Sequence, residues 1–407
     1  MRKTIVYSAL GLAAALIAWQ VWQLSQSPAL AQCAVDDFIE YWTAGRLNLA
    51  GQDPYDPYRM MELQSRLRPD AKFPVMMWNP PWTLSIVAPA ALLAYPLARI
   101  LWCLAAIAAV VLSVGGLWSL YAGPSGRWWM AILTAFVFAP TLFAIGMGQI
   151  SPFVLLGIVG FAVCARRERW GLAGAILAVT LVKPHLVYLV WAALALWSWD
   201  RRQPRALAAA VVVLLAMLAW PLASNPAVIA QYRQALAERG PEYWIAPTFG
   251  VLLRLLCDWH ATWLQMLPSL AGLAWLAWHW LRHRRTWSWT EQLPLLLLVS
   301  VVTSAYGWMF DQIVLLVPLV ALLAEMARAP SGRLRWALGA WAAVTVVAYV
   351  LWPLPLLSGP RGDESAAGLL ARVFSEPNMF WNIVLAPLFA ATYAWARPCA
   401  RPENGLS

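Results

Sequence analysis

Two adjacent carboxylates, Asp36 and Asp37, followed by Glu40, Tyr41, Trp42 and Arg46, are the residues of this chain best equipped for chemistry. They lie in the stretch 34–58, which ends Gly51-Gln52-Asp53-Pro54-Tyr55-Asp56-Pro57-Tyr58. A carboxylate set against an acceptor hydroxyl can take its proton, and a neighbouring like charge raises that carboxylate's pKa. An arginine can receive a phosphate, while tyrosine and tryptophan can bond to or stack on a polyol ring. By residue type alone, the same stretch also reads as a solvated linker with acidic capping residues. A second place joins unlike properties: Lys183-Pro184-His185 stands in the middle of the apolar run 171–199. An ionisable residue in such a run either lines a functional cavity or snorkels to the membrane surface.

The elements that must hold these residues are membrane helices. Of 407 residues 62% are hydrophobic and 12% charged, half the charged fraction of an ordinary soluble domain, about 25%. Apolar segments recur from end to end, so an all-α integral membrane protein is expected, with about twelve spans near 4–24, 98–120, 128–146, 149–165, 170–183, 184–199, 206–224, 258–281, 291–306, 311–327, 334–357 and 379–396. One polytopic domain, 1–397, then precedes a short tail, 398–407. The segment 81–96, bounded by prolines and interrupted by Pro89, is expected as an interfacial helix in the outer loop 25–97. The first apolar run is expected as a retained helix, because it is longer than a signal-peptide core and carries Trp19 and Trp22; cleavage near Ala29-Leu30-Ala31 is the alternative.

Charge placement tests this topology. The +10 net charge comes largely from short basic loops such as Arg166-Arg167-Glu168-Arg169 and Arg282-His283-Arg284-Arg285, which by the positive-inside bias face the cytoplasm. Acids gather on the other side. The basic excess is therefore an orientation signal, and nucleic acid is excluded as a partner. One unbroken helix over 171–199 would put the basic clusters at 166–169 and 201–205 on opposite faces. Two short helices meeting at Lys183-Pro184 put both inside, and proline makes a break natural there. Both termini then lie in the cytoplasm. An outer mouth would collect Asp36, Asp37, Glu40, Arg46, Lys183, His185 and Asp311.

Other signatures are absent from the sequence. There is no phosphate-cradling glycine-lysine loop, dinucleotide fingerprint or His-Glu-x-x-His pattern, and the five cysteines lack metal-ligand spacing. His283 is expected as a solvated charge partner. Cys33 and Cys257 are both placed outside, where a disulfide is possible.

Four motifs in order carry a resemblance. Asp37-Phe38 with Tyr41-Trp42, Ala44 and Arg46, then Gly51-Gln52-Asp53-Pro54-Tyr55-Asp56, resembles the first outer loop of glycosyltransferase family 87. Gly148-Gln149, Ala173-Gly174 leading to Lys183-Pro184, and Ser304-x-Tyr306-x-Trp308-x-Phe310-Asp311 follow, so the likeness spans roughly 34–320. Ala305 and Phe310 depart from it, standing where proline and tyrosine are usual. The resemblance implies a GT-C-type multi-helix membrane fold with its site facing away from the cytoplasm. It implies a polyprenyl-phosphate sugar as donor, often mannose, and a glycan, glycolipid or protein as acceptor, with membrane lipid around the chain. On this basis Asp37 is expected as general base, and Asp36 as its electrostatic neighbour or an acceptor ligand. Lys183 and Arg46 are expected on the donor phosphate. Glu40, Tyr41, Trp42, Tyr55, Gln149, His185 and Asp311 are expected on sugar or acceptor. No cofactor is required when lysine and arginine neutralise the phosphate, although the Asp36-Asp37 pair leaves a divalent cation possible.

Rival readings are a transporter or flippase of a lipid-linked sugar, with its site at the Lys183-Pro184 break, a polymerase or ligase of surface polysaccharide, and a non-catalytic assembly protein. The preponderance of arginine over lysine points to a bacterial inner membrane, with the site on the periplasmic face.

Overall fold

The computed structural model describes residues 36–240, 246–351 and 386–396. The first apolar run with its cleavage alternative, Cys33 and its pairing with Cys257, the late outer loop 358–378 and the tail 398–407 lie outside the described residues. Among those described, every regular element is helical.

The polar stretch of the described N-terminal residues forms helix α1 (Phe38–Leu49), and it is not a solvated linker. Phe38 through Gly45, with Leu47 and Asn48, are buried, leaving Arg46 exposed. A helix apolar on nearly every face must be enclosed by others, and α1 packs on α3 (Leu84–Ala91). Between them α2 (Pro57–Ser65) starts at Asp56, whose carboxylate accepts from the Tyr58 N–H at 2.8 Å. Pro57 occupies the first turn, where its missing N–H costs nothing. The expected interfacial segment is a 3₁₀ turn, Pro81–Thr83, continuing into α3, with Pro89 inside the helix.

Then come α4 (Tyr95–Leu120), α5 (Trp129–Val137) and α6 (Ala139–Gly146), the last two bent by 63° at Phe138. They are followed by α7 (Ser151–Arg166), α8 (Trp170–Leu177), α9 (Tyr188–Asp200), α10 (Arg205–Ser224), α11 (Val228–Glu238) and α12 (Phe249–Leu256). The chain continues through α13 (Leu267–His283), α14 (Trp289–Thr303), α15 (Leu316–Arg328), α16 (Gly332–Leu351) and α17 (Ala386–Ala396). A 3₁₀ segment, Met309–Leu315, leads directly into α15.

By length and composition three helices can cross a membrane: Tyr95–Leu120, Arg205–Ser224 and Met309–Arg328, with α5 and α6 as a fourth if the bent pair is one span. Several of the expected spans are helices too short to cross alone, among them α7, the α8 segment and α14. The Met309–Arg328 helix is central, with 83% of its apolar window buried, whereas Arg205–Ser224 is peripheral at 22%.

The expected break is present. Helix α8 tightens into a 3₁₀ segment, Ala178–Val182, the backbone turns at Lys183 with φ −137° and ψ 66°, and a 3₁₀ turn, Pro184–Leu186, precedes α9. Broken backbone inside a helical bundle needs other donors for its freed carbonyls. Trp82 Nε1 donates to the Leu181 carbonyl at 2.9 Å and Asn79 Nδ2 to that of Val182 at 2.9 Å.

The basic loops come together at one end of the bundle. Arg166 donates to the Leu120 carbonyl at 2.6 Å, Arg127 to that of Ala327 at 2.8 Å, and Arg201 to that of Arg284 at 3.3 Å. Helix α7 runs from that end to Ser151 at the other, where the break and the start of α1 meet.

Candidate active site

Asp37 sits at the start of α1 and is 7% exposed. The turn after α6 supplies its partner. Gly148 has φ +70°, a left-handed conformation natural to glycine, and a Cβ there would stand 2.6 Å from that of Phe38. This tight turn brings Gln149 under α1, and its Nε2 donates to Asp37 Oδ2 at 2.5 Å. Gln149 Oε1 accepts from the Tyr41 hydroxyl at 3.0 Å and from Lys183 Nζ at 2.7 Å.

Lys183, placed at the break because Pro184 ends the helical path, has three acceptors: Gln149 Oε1, Asp311 Oδ1 at 2.6 Å and Ser151 Oγ at 3.1 Å. Its ammonium also lies 4.8 Å from the centre of the Phe310 ring. Ser151 Oγ donates to Asp311 Oδ1 at 2.7 Å, and Asp311 Oδ2 accepts from the Trp308 N–H at 3.1 Å. One hydrogen-bonded chain therefore runs from Asp37 through Gln149 and Lys183 to Asp311. Asp311 also faces a recess lined by Thr248, Ser304, Tyr306, Trp308 and Gln312.

Burial pushes the Asp37 carboxyl up to about 7; the Gln149 hydrogen bond and the Lys183 charge pull it partly back. Glu40, one turn along α1 and buried, is driven well above the usual carboxylate range, first by desolvation and then by Asp37. Asp37 is thus poised to exchange a proton near neutrality, which suits a general base. Burial beside it disfavours the charged form of Glu40.

Other expected site residues are placed elsewhere. Asp36 is not part of the hydrogen-bonded chain from Asp37 to Asp311: it accepts from Arg99 Nε at 3.1 Å and from the Tyr95 hydroxyl. Asp36 and Asp37 are thus bonded to different partners. Among the described residues no three His, Cys, Asp or Glu side chains gather as a metal site. Arg46 lies roughly half a turn round the helix from Asp37 at about 100° per residue; it is exposed, donates to the Leu93 carbonyl at 3.1 Å and stacks on Trp42. The phosphate role expected of Arg46 has no support in that position. Trp42 donates to the same Leu93 carbonyl at 3.0 Å, and Tyr55 donates to the Asn79 carbonyl at 3.2 Å; both fasten the outer segments together. The His185 ring meets Tyr306 edge-on, with centroids 5.3 Å apart.

Ser151, which joins Lys183 to Asp311, and Arg99, which holds Asp36, were not singled out by sequence. Ser151 stands two residues after Gln149 at the start of a helix, where a serine is ordinary. Arg99 near the end of a span reads as an anchoring charge.

A buried acid, amide and ammonium gather at one end of an apolar helical bundle, with the basic loops at the other, as in a membrane-embedded protein with a buried polar cluster. Residues 78–305 match glycosyltransferase family 87, more than half of the chain, and the chain belongs to that family of membrane glycosyltransferases. Gln149, Ser151, Lys183 and His185 lie within the matched stretch, and Asp37 and Asp311 lie outside it. No curated protein and no solved structure matches the chain. Membership favours group transfer over the transporter reading.

Proposed function

We propose that this protein moves a hexosyl group, mannosyl in the first instance, from a polyprenyl-phosphate sugar to a glycan or glycolipid acceptor on the periplasmic face of a bacterial inner membrane, within a GT-C-type fold of about twelve spans. The observation that carries the proposal is the buried Asp37 carboxylate, bonded through Gln149 to Lys183 at the broken helix. A lipid-linked donor needs no nucleotide site, in keeping with short basic loops that offer no room for one.

In the proposed reaction Asp37 takes the proton of the acceptor hydroxyl as its oxygen forms a bond to the anomeric carbon. The bond from that carbon to the phosphate oxygen breaks, and its electron pair leaves with the polyprenyl phosphate. Displacement in one step inverts the anomeric configuration. Lys183 meets the leaving phosphate by exchanging its Gln149 or Ser151 contact, a positive charge placed where negative charge develops. Asp311 holds Lys183 in place. Burial of Glu40 disfavours a second negative charge beside the base.

The test is transfer of labelled sugar from polyprenyl-phosphate mannose to membrane glycolipid extracts by purified protein, parent against Asp37→Asn at matched folded levels. The parent is expected to transfer label and Asp37→Asn to lose at least about 100-fold, the scale of general base catalysis. Equal transfer by both would remove Asp37 from the role of base. No transfer from any polyprenyl-phosphate sugar would overturn the donor assignment.

A further inference from the structure

The proposed base stands next to a carboxylate that the reaction does not use. Asp36 accepts from Arg99 Nε at 3.1 Å, from the Tyr95 hydroxyl and from the Phe38 N–H at 3.2 Å. The other arm of the same guanidinium donates to the Gly146 carbonyl at 2.7 Å. Arg99 therefore grips two separate segments at once, one through the Asp36 carboxylate and the other through a backbone carbonyl. One is the start of α1, which carries Asp37, Glu40 and Tyr41. The other is the turn after α6, which carries Gln149.

Neighbouring contacts point the same way. The Phe38 N–H also donates to the Met147 carbonyl at 3.2 Å, and Trp102 Nε1 donates to that of Gly148 at 2.8 Å. Tyr95, Arg99 and Trp102 follow one another at helical spacing on one face of α4, and each holds one or the other piece. A planar guanidinium offers donors in a fixed fork, so two acceptors bound to it are fixed relative to each other. A lysine ammonium, a point charge on a flexible stem, does not impose that geometry.

We infer that Arg99 is a positioning residue, which sets the Asp37–Gln149 contact by holding Asp36 and the Gly146 carbonyl on one guanidinium, with Tyr95 completing the clamp. The inference rests on Asp37 being the base. Asp37 is faced by Asp36 from its own segment, by Glu40 and Tyr41 from α1, by Gln149 from the turn, by Lys183 from the helix break and by Asp311 from the segment before α15. Loosening the clamp weakens the Gln149 hydrogen bond and leaves the Asp36 charge without its arginine. Both changes make Asp37 hold its proton to higher pH.

The experiment uses the full-length protein in lipid nanodiscs, comparing parent, Arg99→Gln, Arg99→Lys and Tyr95→Phe. Two quantities are read: the pH profile of mannosyl transfer from polyprenyl-phosphate mannose, and the protonation midpoint of Asp37 by infrared difference against Asp37→Asn. In Arg99→Gln, kcat is expected to fall about 10- to 100-fold with KM changed by less than about twofold, as for a misplaced catalytic group. The acid limb and the infrared midpoint should move together to higher pH, with Arg99→Lys falling between it and the parent. A folded Arg99→Gln with unmoved acid limb and midpoint overturns the inference, as does a loss of rate without a midpoint shift. If Arg99→Gln does not fold, Tyr95→Phe carries the test with a smaller shift in the same direction, and no shift there overturns it. If the parent transfers no sugar the donor assignment fails in the parent itself, while the infrared midpoints still decide the clamp.

Discussion

At the residue scale, Asp37 ties activity and stability to pH with opposite signs. Its carboxyl is raised from 3.8 to about 7 in the fold. As a base it works when deprotonated, so transfer should rise with pH through about 7 and level off above. For stability, a carboxyl whose folded pKa lies above its unfolded value favours the fold when protonated. That contribution is complete below about 4 and is lost as pH climbs through about 7. Thermal denaturation in detergent, measured from pH 4 to 8, should show this slope in the parent and a shallower one in Asp37→Asn; equal slopes would locate the titration elsewhere. The Lys183–Asp311 pair, 2.6 Å apart with side chains 7% and 1% exposed, makes a second prediction. Lys183→Met leaves a carboxylate buried beside Ser151 and should cost about 3–5 kcal/mol, whereas Lys183→Met combined with Asp311→Leu should recover much of that loss, because no unpaired charge remains. A double variant no more stable than the single one would show that the loss does not come from the unpaired Asp311 carboxylate. Asp37, Gln149, Lys183 and Asp311 were legible in the sequence because each is polar in or beside an apolar run. Arg46 stands apart from them, because composition marks a charge without saying which side of a helix carries it.

At the element scale, the site depends on two kinds of backbone feature. The break at Lys183 was legible, since Pro184 within an apolar run between two basic clusters permits little else. Helix α1 was not. Its acids and tyrosines look solvated, and only the fold shows that α3 and the turn at Gly148 cover it. Close approach of helices is the other feature. A Cβ on Gly174 of α8 would stand 1.8 Å from the Ala206 carbonyl oxygen of α10, a distance that no side-chain rearrangement relieves. Gly174→Ala must therefore separate α8 from α10 and disturb the 3₁₀ segment that leads to Lys183. A loss of about 1–3 kcal/mol, the usual cost of overpacking, is expected in denaturation experiments. Gly171→Ala, on the same helix with open space around its Cβ position, serves as the control and should be neutral or slightly stabilising. Equal behaviour of the two variants would mean that α8 and α10 do not meet as described.

At the scale of the whole molecule, hydropathy announced a membrane protein, but the division between central and peripheral helices was beyond it. Met309–Arg328 and Arg205–Ser224 are both apolar enough to cross, yet the first is enclosed and the second turns Val211, Val212, Leu215 and Trp220 outward. Periodicity cannot separate them, because lipid and protein interior are equally apolar. The distinction has a direct test. Leu215, 60% exposed near the middle of α10, would be a harmless place for a charge in a soluble protein. If it faces hydrocarbon, Leu215→Lys should cost about 2.5–3.5 kcal/mol of insertion free energy, as for a charge at the centre of a spanning helix. The yield of protein that resists alkaline extraction from membranes should fall accordingly. Trp199, 87% exposed at the basic end of α9, gives the contrast: Trp199→Lys places its charge where the chain already gathers arginines, and it should insert as the parent does. A Leu215→Lys variant that inserts as well as Trp199→Lys would mean that the outer face of α10 is covered by protein or water.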